Sequence, residues 1–240
     1  MTPTFLAAAL AAFAPHLTPT PLAPAAVLPP DAQWAAAAAT VRVSGGPTGP
    51  VASAVCLEVK GGAAFLLTAG HAVPPGEGRL YAFFDRQSWP QPAGETIGGE
   101  VLVRLAECDV ALVKVAVRSA APAAAPLAPP GARPKRFPAS AAAVGCPDGL
   151  PPWVRAETVV GKAFDPRRKP GDAQGFFWET ATPPKPGMSG GPLLDGRGRV
   201  IGICTAAQGG KGYYAHLDEI HAGLIKAGYG WLVTPGEPKP

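Results

Sequence analysis

A chain of 240 residues that is 47% hydrophobic and 16% charged can bury a substantial core, and its 30 glycines and 31 prolines argue against a helical one. The formal net charge of +4 comes from scattered basic residues. Their nearest approach to a cluster is Arg167-Arg168-Lys169 in a Pro/Gly-rich loop with no interleaved aromatics, so no nucleic acid partner is expected.

Residues 5–14 form an apolar run too short to span a bilayer, which argues against a stable membrane span and suits the core of a signal peptide. Ala12-Phe13-Ala14 has the small-x-small pattern of a cleavage site, whereas no Lys or Arg precedes the run; an Ala-rich tail is the other reading. A proline-rich linker follows to Pro30, so residues 1–30 are set apart from a folded unit over 31–240. On this reading the location is extracytoplasmic, secreted or periplasmic. Asp31 is expected to cap a short alanine-rich helix after it.

Short apolar segments broken by turn residues come next, at 40–44, 51–59, 63–68, 79–84, 97–105 and 110–117, with Gly45-Gly46-Pro47 and Gly61-Gly62 at hairpin-like spacing. Six such strands suit a closed Greek-key barrel. The Ala/Pro-rich stretch 120–138 has no periodic pattern and reads as a crossover. A second set of strands is expected at 141–146, 153–161, 176–181, 192–195, 199–205 and 212–215. No repeat motif relates the two sets. From Leu217 to Ala227 the spacing predicts a helix, with Leu217, Ile220, Leu224 and Ile225 near one face and Gly228 as its stop. The fold class expected is therefore all-β: two six-stranded Greek-key barrels, about 40–120 and 138–235, with a C-terminal helix.

Cys56, Cys108, Cys146 and Cys204 are widely spaced, with neither a Cys-x-x-Cys nor a Cys/His metal spacing. Free buried thiols and disulfide pairings both stay open, while no metal and no cofactor is expected.

Three residues carry the chemistry. Ser189 lies in Lys185-Pro186-Gly187-Met188-Ser189-Gly190-Gly191-Pro192-Leu193-Leu194-Asp195, where glycines expose the hydroxyl and free the backbone to aim its N–H groups at a bound oxygen. Those of Gly187 and Ser189, with Met188 as a further contributor, would form an oxyanion hole, each donor worth about 3–4 kcal/mol of transition-state stabilisation. Such a serine needs a base and an orienting carboxylate. His71 in Thr68-Ala69-Gly70-His71-Ala72-Val73 can supply the first, and Asp109, heading an apolar strand with alternating character, the second. The order His, Asp, Ser is that of chymotrypsin-like double barrels.

These motifs resemble those of trypsin-like serine proteases, closest to the HtrA-type branch. Leu66-Leu67-Thr68-Ala69-Gly70-His71-Ala72-Val73 resembles that branch's histidine motif, Asp109-Val110-Ala111-Leu112-Val113-Lys114-Val115 its aspartate strand, and Gly187-Met188-Ser189-Gly190-Gly191-Pro192 its serine loop. Val144-Gly145-Cys146-Pro147-Asp148-Gly149 resembles its Gly-x-Pro turn. The resemblance covers about 40–227, with no PDZ-like domain after it. Ala72 stands where animal proteases carry a cysteine beside the histidine, so Cys56 lacks that disulfide partner.

The resemblance implies a serine endopeptidase acting on polypeptides through a His71-Asp109-Ser189 triad. It also implies that Thr205, Ala206 and Ala207 line the substrate backbone and primary pocket, opposite a wall containing Thr182. No Asp stands in 180–185, which disfavours cleavage after Arg or Lys, and the small Ala206 and Ala207 admit a modest aliphatic side chain. His216 is expected at the surface, with recognition of an acidic substrate residue as its other reading. A non-catalytic peptide-binding module on the same fold and an esterase using the same triad are the alternatives.

Overall fold

The computed structural model describes residues 28–46, 49–94, 96–117, 122–164 and 175–233. The signal-like run, most of the linker with His16, and Arg167-Arg168-Lys169 lie outside these residues.

Twelve strands close into two barrels. The first contains β1 (Thr40–Ser44), β2 (Val51–Lys60), β3 (Ala63–Ala69), β4 (Leu80–Ala82), β5 (Ile97–Leu105) and β6 (Val110–Ala116), in the order β1-β2-β3-β6-β5-β4. The second contains β7 (Ala139–Gly145), β8 (Trp153–Phe164), β9 (Phe176–Thr180), β10 (Pro192–Leu194), β11 (Val200–Gln208) and β12 (Lys211–His216). Its order, β7-β8-β9-β12-β11-β10, repeats that of the first. Every pairing between these strands is antiparallel, and the contacts β1–β4 and β7–β10 close the rings. Two packed lobes thus share one topology without a shared sequence motif.

Closure explains the strand patterns. Val41, Val43, Ala54, Cys56, Leu66, Tyr81, Val113 and Val115 fill the first barrel. Their neighbours Val55, Leu57, Leu67, Val110 and Leu112 face outward and join the core that continues into the second barrel. Strand β6 is consequently buried on both faces from Val110 to Val113 rather than alternating from its start. In the second barrel Trp178 lies at the centre, its indole N–H donating to Ile201 O at 2.7 Å.

Several elements depart from the sequence-based expectations. Helix α1 spans Pro30–Ala38, with Pro29 at its N-cap and no side-chain cap; Asp31 lies inside the first turn and pairs loosely with Arg86 at 3.6 Å. A proline at N1 or N2 needs no N–H acceptor, so the helix starts there rather than at the acid. Strand β4 keeps only three of the residues in 79–84; Arg79, just before it, turns its guanidinium onto Ala72 O at 2.8 Å and onto Glu77.

The crossover contributes core: Ala125, Leu127 and Ala128 are buried, and Leu127 bridges Val200. The closing helix α2 (Leu217–Lys226) buries Leu217, Ile220, His221 and Leu224, whereas Ile225 is 58% exposed. At 100° per residue, position 221 follows 217 and 224 around the inner face more closely than 225 does. All four cysteines are buried, and burial pushes the Cys56 and Cys146 thiols up to about 12, which keeps them protonated and poorly nucleophilic.

Candidate active site

The strand β3 ends at Ala69, and the chain turns through a short 3₁₀ segment, Gly70–Ala72, that carries His71. Asp109 sits just before β6 in the left-handed region, at φ 53° and ψ 47°. That conformation is uncommon for a residue with a Cβ, and short polar side chains tolerate it best. Because β3 and β6 are paired up to Ala69–Val110, the two chain ends emerge side by side. Gly70 N–H donates to Asp109 O at 2.8 Å and continues the ladder one step.

The carboxylate then accepts twice from the same residue. His71 backbone N–H reaches Oδ1 at 2.9 Å, and the ring Nδ1 lies 2.7 Å from Oδ2. An ionised carboxylate can only accept, so Nδ1 bears a proton and Nε2 is left as the unprotonated ring nitrogen. His71 is 43% exposed and Asp109 20%.

Ser189 is placed by backbone. Gly187 and Gly190 on either side have φ of 87° and 86°, which side chains resist. A Cβ at Gly190 would run into the Ser53 carbonyl oxygen and the Thr68 hydroxyl and come within 2.8 Å of Ala69 N. The serine loop is therefore pressed directly onto the ends of β2 and β3, two residues from His71.

Ser53 N–H donates to Ser189 O at 2.7 Å. Its hydroxyl donates to Gly187 O at 2.7 Å and accepts from Cys146 N–H at 2.8 Å. The Thr68 hydroxyl donates to Ser53 O at 2.6 Å. From the other side, the turn after β7 supplies Asp148 N–H to Pro186 O at 2.8 Å. Met188 is buried against Gly145.

Ser53 and Thr68 are the residues that sequence reasoning missed. Each is a fully buried hydroxyl with apolar neighbours on both sides in its strand, a pattern that asks for a partner and is the one available signal.

Within the loop, Met188 N–H donates to Lys185 O at 3.1 Å, Gly190 N–H to Cys204 O at 2.7 Å and Gly191 N–H to Met188 O at 2.9 Å. The Met188 N–H is thereby already engaged within the loop. The hydrogen bonds found at Ser189 among the described residues run through its carbonyl rather than its hydroxyl.

Of the residues expected to meet substrate, Thr205 is buried at a bulge in β11, its hydroxyl donating to Tyr213 O at 3.2 Å. Ala206 is half-buried, and Ala207 and Thr182 are exposed. His216, expected at the surface, is instead buried. Its Nδ1 accepts the Asp218 N–H at 3.1 Å as the N-cap of α2, and its ring lies 3.9 Å from that of Trp178. Burial first, and Lys162 second, pull its pKa down to about 4, so the imidazole is neutral.

The family model of the trypsin-like peptidase domain matches residues 52–203. The chain belongs to the trypsin-like peptidase family. Its matched region contains Ser53, His71, Asp109 and Ser189, and the family's substrate is polypeptide. No curated protein matches the chain in sequence.

Among solved structures, the active form of the protease Rv3671c of M. tuberculosis aligns at TM-score 0.65 and 19% identity, over 92% of this peptidase and 95% of that chain. An inactive form of Rv3671c aligns at 0.64 and 18%, over 82% and 93%. The HtrA-type protease AlgW, solved with a tripeptide, aligns at 0.62 and 21%, over 86% of this peptidase and 64% of that chain. Among the described residues, no helix of the peptidase is long and apolar enough to cross a membrane.

Proposed function

We propose that this peptidase is a serine endopeptidase in which Ser189 attacks the scissile carbonyl and His71 takes its proton at Nε2. Asp109 fixes the ring and stabilises the imidazolium that forms. The negative charge that develops on the carbonyl oxygen is met by the N–H groups of Gly187 and Ser189. His71 then returns the proton to the departing amine, and water, deprotonated by the same imidazole, releases the acyl group and restores the hydroxyl.

The observation that carries this reading is the double hydrogen bond from His71 to Asp109, beside a serine loop seated on the strand that leads into that histidine. The reading requires the Ser189 hydroxyl to swing onto Nε2 when substrate closes the cleft, a tightening common in acyl-transfer sites. The apolar run at 5–14 supports action outside the cytoplasm.

The test is an alkylphosphonate probe on the folded protein, read by mass spectrometry, alongside cleavage of a casein-type substrate. One phosphonyl group on Ser189, lost in Ser189→Ala together with cleavage, is the expected result. A folded parent that neither labels nor cleaves overturns the proposal.

A further inference from the structure

The segment before the serine loop, Thr182-Pro183-Pro184-Lys185-Pro186, has three prolines in five residues, so most of it has no N–H with which to join a sheet. Its carbonyls are its backbone handles. Arg155 on β8 takes two of them: Nη1 donates to Pro183 O and Nη2 to Thr182 O, both at 3.2 Å. The same Nη2 lies 2.7 Å from Glu157 Oε2, and Glu157 Oε1 accepts the Thr158 N–H at 2.9 Å.

The carboxylate is 1% exposed and the guanidinium 12%. A pair buried this deeply offsets the cost of leaving water only where its other donors and acceptors are used. Here Nη1 and Nη2 are used on the segment and Glu157 Oε1 on Thr158 N–H, whereas Arg155 Nε is buried without a partner among the described residues. The Tyr214 hydroxyl, buried against the same guanidinium, is held protonated by its burial.

On the opposite side the segment meets β12. The Thr180 hydroxyl donates to Thr182 O at 3.2 Å. A Cβ added to Gly212 would stand 2.9 Å from both Thr182 O and Pro184 Cδ.

We propose that Arg155, held by Glu157, is a positioning residue that clamps residues 182–184 against Gly212 and so sets how the peptidase accepts the side chain next to the scissile bond. The inference rests on the serine endopeptidase reading. It adds that substrate fit depends on a buried cation which touches neither the substrate nor the triad. Lysine cannot replace it, because an ammonium lacks the planar fork needed to hold two carbonyls and a carboxylate at once.

Three variants test this: Arg155→Met, Arg155→Lys, and Arg155→Met/Glu157→Gln, which leaves no unpaired buried charge and guards against simple unfolding. Hydrogen exchange at the amides of Ala181, Thr182, Lys185, Gly187 and Met188 is measured in each. Kinetics are followed on an extended peptide anilide and on an activated acetyl ester, which needs no side-chain pocket.

Expected in the folded double variant are faster exchange at those amides and a KM for the peptide raised about tenfold or more with ester turnover retained, Arg155→Lys falling between it and the parent. Exchange as in the parent, or an equal loss on peptide and ester, overturns the clamp. Failure of the parent to label with phosphonate defeats the endopeptidase reading, and the exchange measurement still decides whether the clamp exists.

Discussion

On the first barrel's side of the cleft the functional group is held by a side chain: Asp109 accepts both the backbone N–H and the ring Nδ1 of His71, with both residues partly open to solvent. On the second barrel's side Ser189 is held by backbone, through positive-φ glycines and through the Gly187 and Ser189 carbonyls, which accept from the hydroxyl and the backbone N–H of Ser53 in the other lobe. The first arrangement can lose function without losing shape. The second cannot, because what positions the serine also joins the two barrels.

Asp109→Asn breaks the side-chain half most cleanly. An amide oxygen can still accept the His71 backbone N–H, but an amide facing Nδ1 with its N–H selects the wrong tautomer. The expected result is a fall of about 10⁴-fold in kcat with the melting temperature nearly unchanged. A comparable fall in stability instead would show that the carboxylate is mainly a strut.

Gly190→Ala addresses the backbone half. The new methyl meets Ser53 O and the Thr68 hydroxyl at a φ that alanine resists, so chemical denaturation is expected to show a loss of more than about 2 kcal/mol, with activity lost too.

Acid sharpens the contrast, because the second barrel rests on a neutral buried histidine. An imidazole with an ordinary pKa near 6.5 when unfolded and about 4 when folded contributes its full stabilisation above 6.5 and loses it as pH falls towards 4. Asp218 opposes the depression and Arg133 and His221 add to it, after burial and Lys162. The loss expected across this window is about 3 kcal/mol, read from denaturant midpoints at stepped pH. His216→Gln, which keeps a possible N-cap, should flatten that profile; an unchanged slope would place the acid sensitivity elsewhere.

Ser53→Ala is expected to lower stability by about 1–3 kcal/mol, since it leaves Gly187 O and Cys146 N–H without their hydroxyl partner. Its kcat should fall more than its KM rises, because the loop that loses this support carries the proposed oxyanion donors; a pure KM effect would argue otherwise.

Much of this was readable along the chain. The barrels follow from short apolar segments between Gly and Pro turns. His71, Asp109 and Ser189 each carry their context within a few neighbours. What escaped depends on partners remote in sequence. Ser53 looks like any small residue of β2 until Gly187, 134 positions later, is laid against it. His216 reads as a surface residue because nothing local announces that Trp178 will cover it. Ile225 fell outside the buried face, which takes His221 instead, because a helix of ten residues leaves a periodicity argument too few repeats to fix its inner face.

The mould for the serine loop also imposes an order of assembly. Ser53 and Thr68 belong to strands synthesised long before Ser189, and their hydroxyl and carbonyl groups give Gly187 and Gly190 their shape. A nascent chain therefore has no shaped serine loop until the earlier lobe has closed and received the later one, so the proposed nucleophile arrives as the last product of folding.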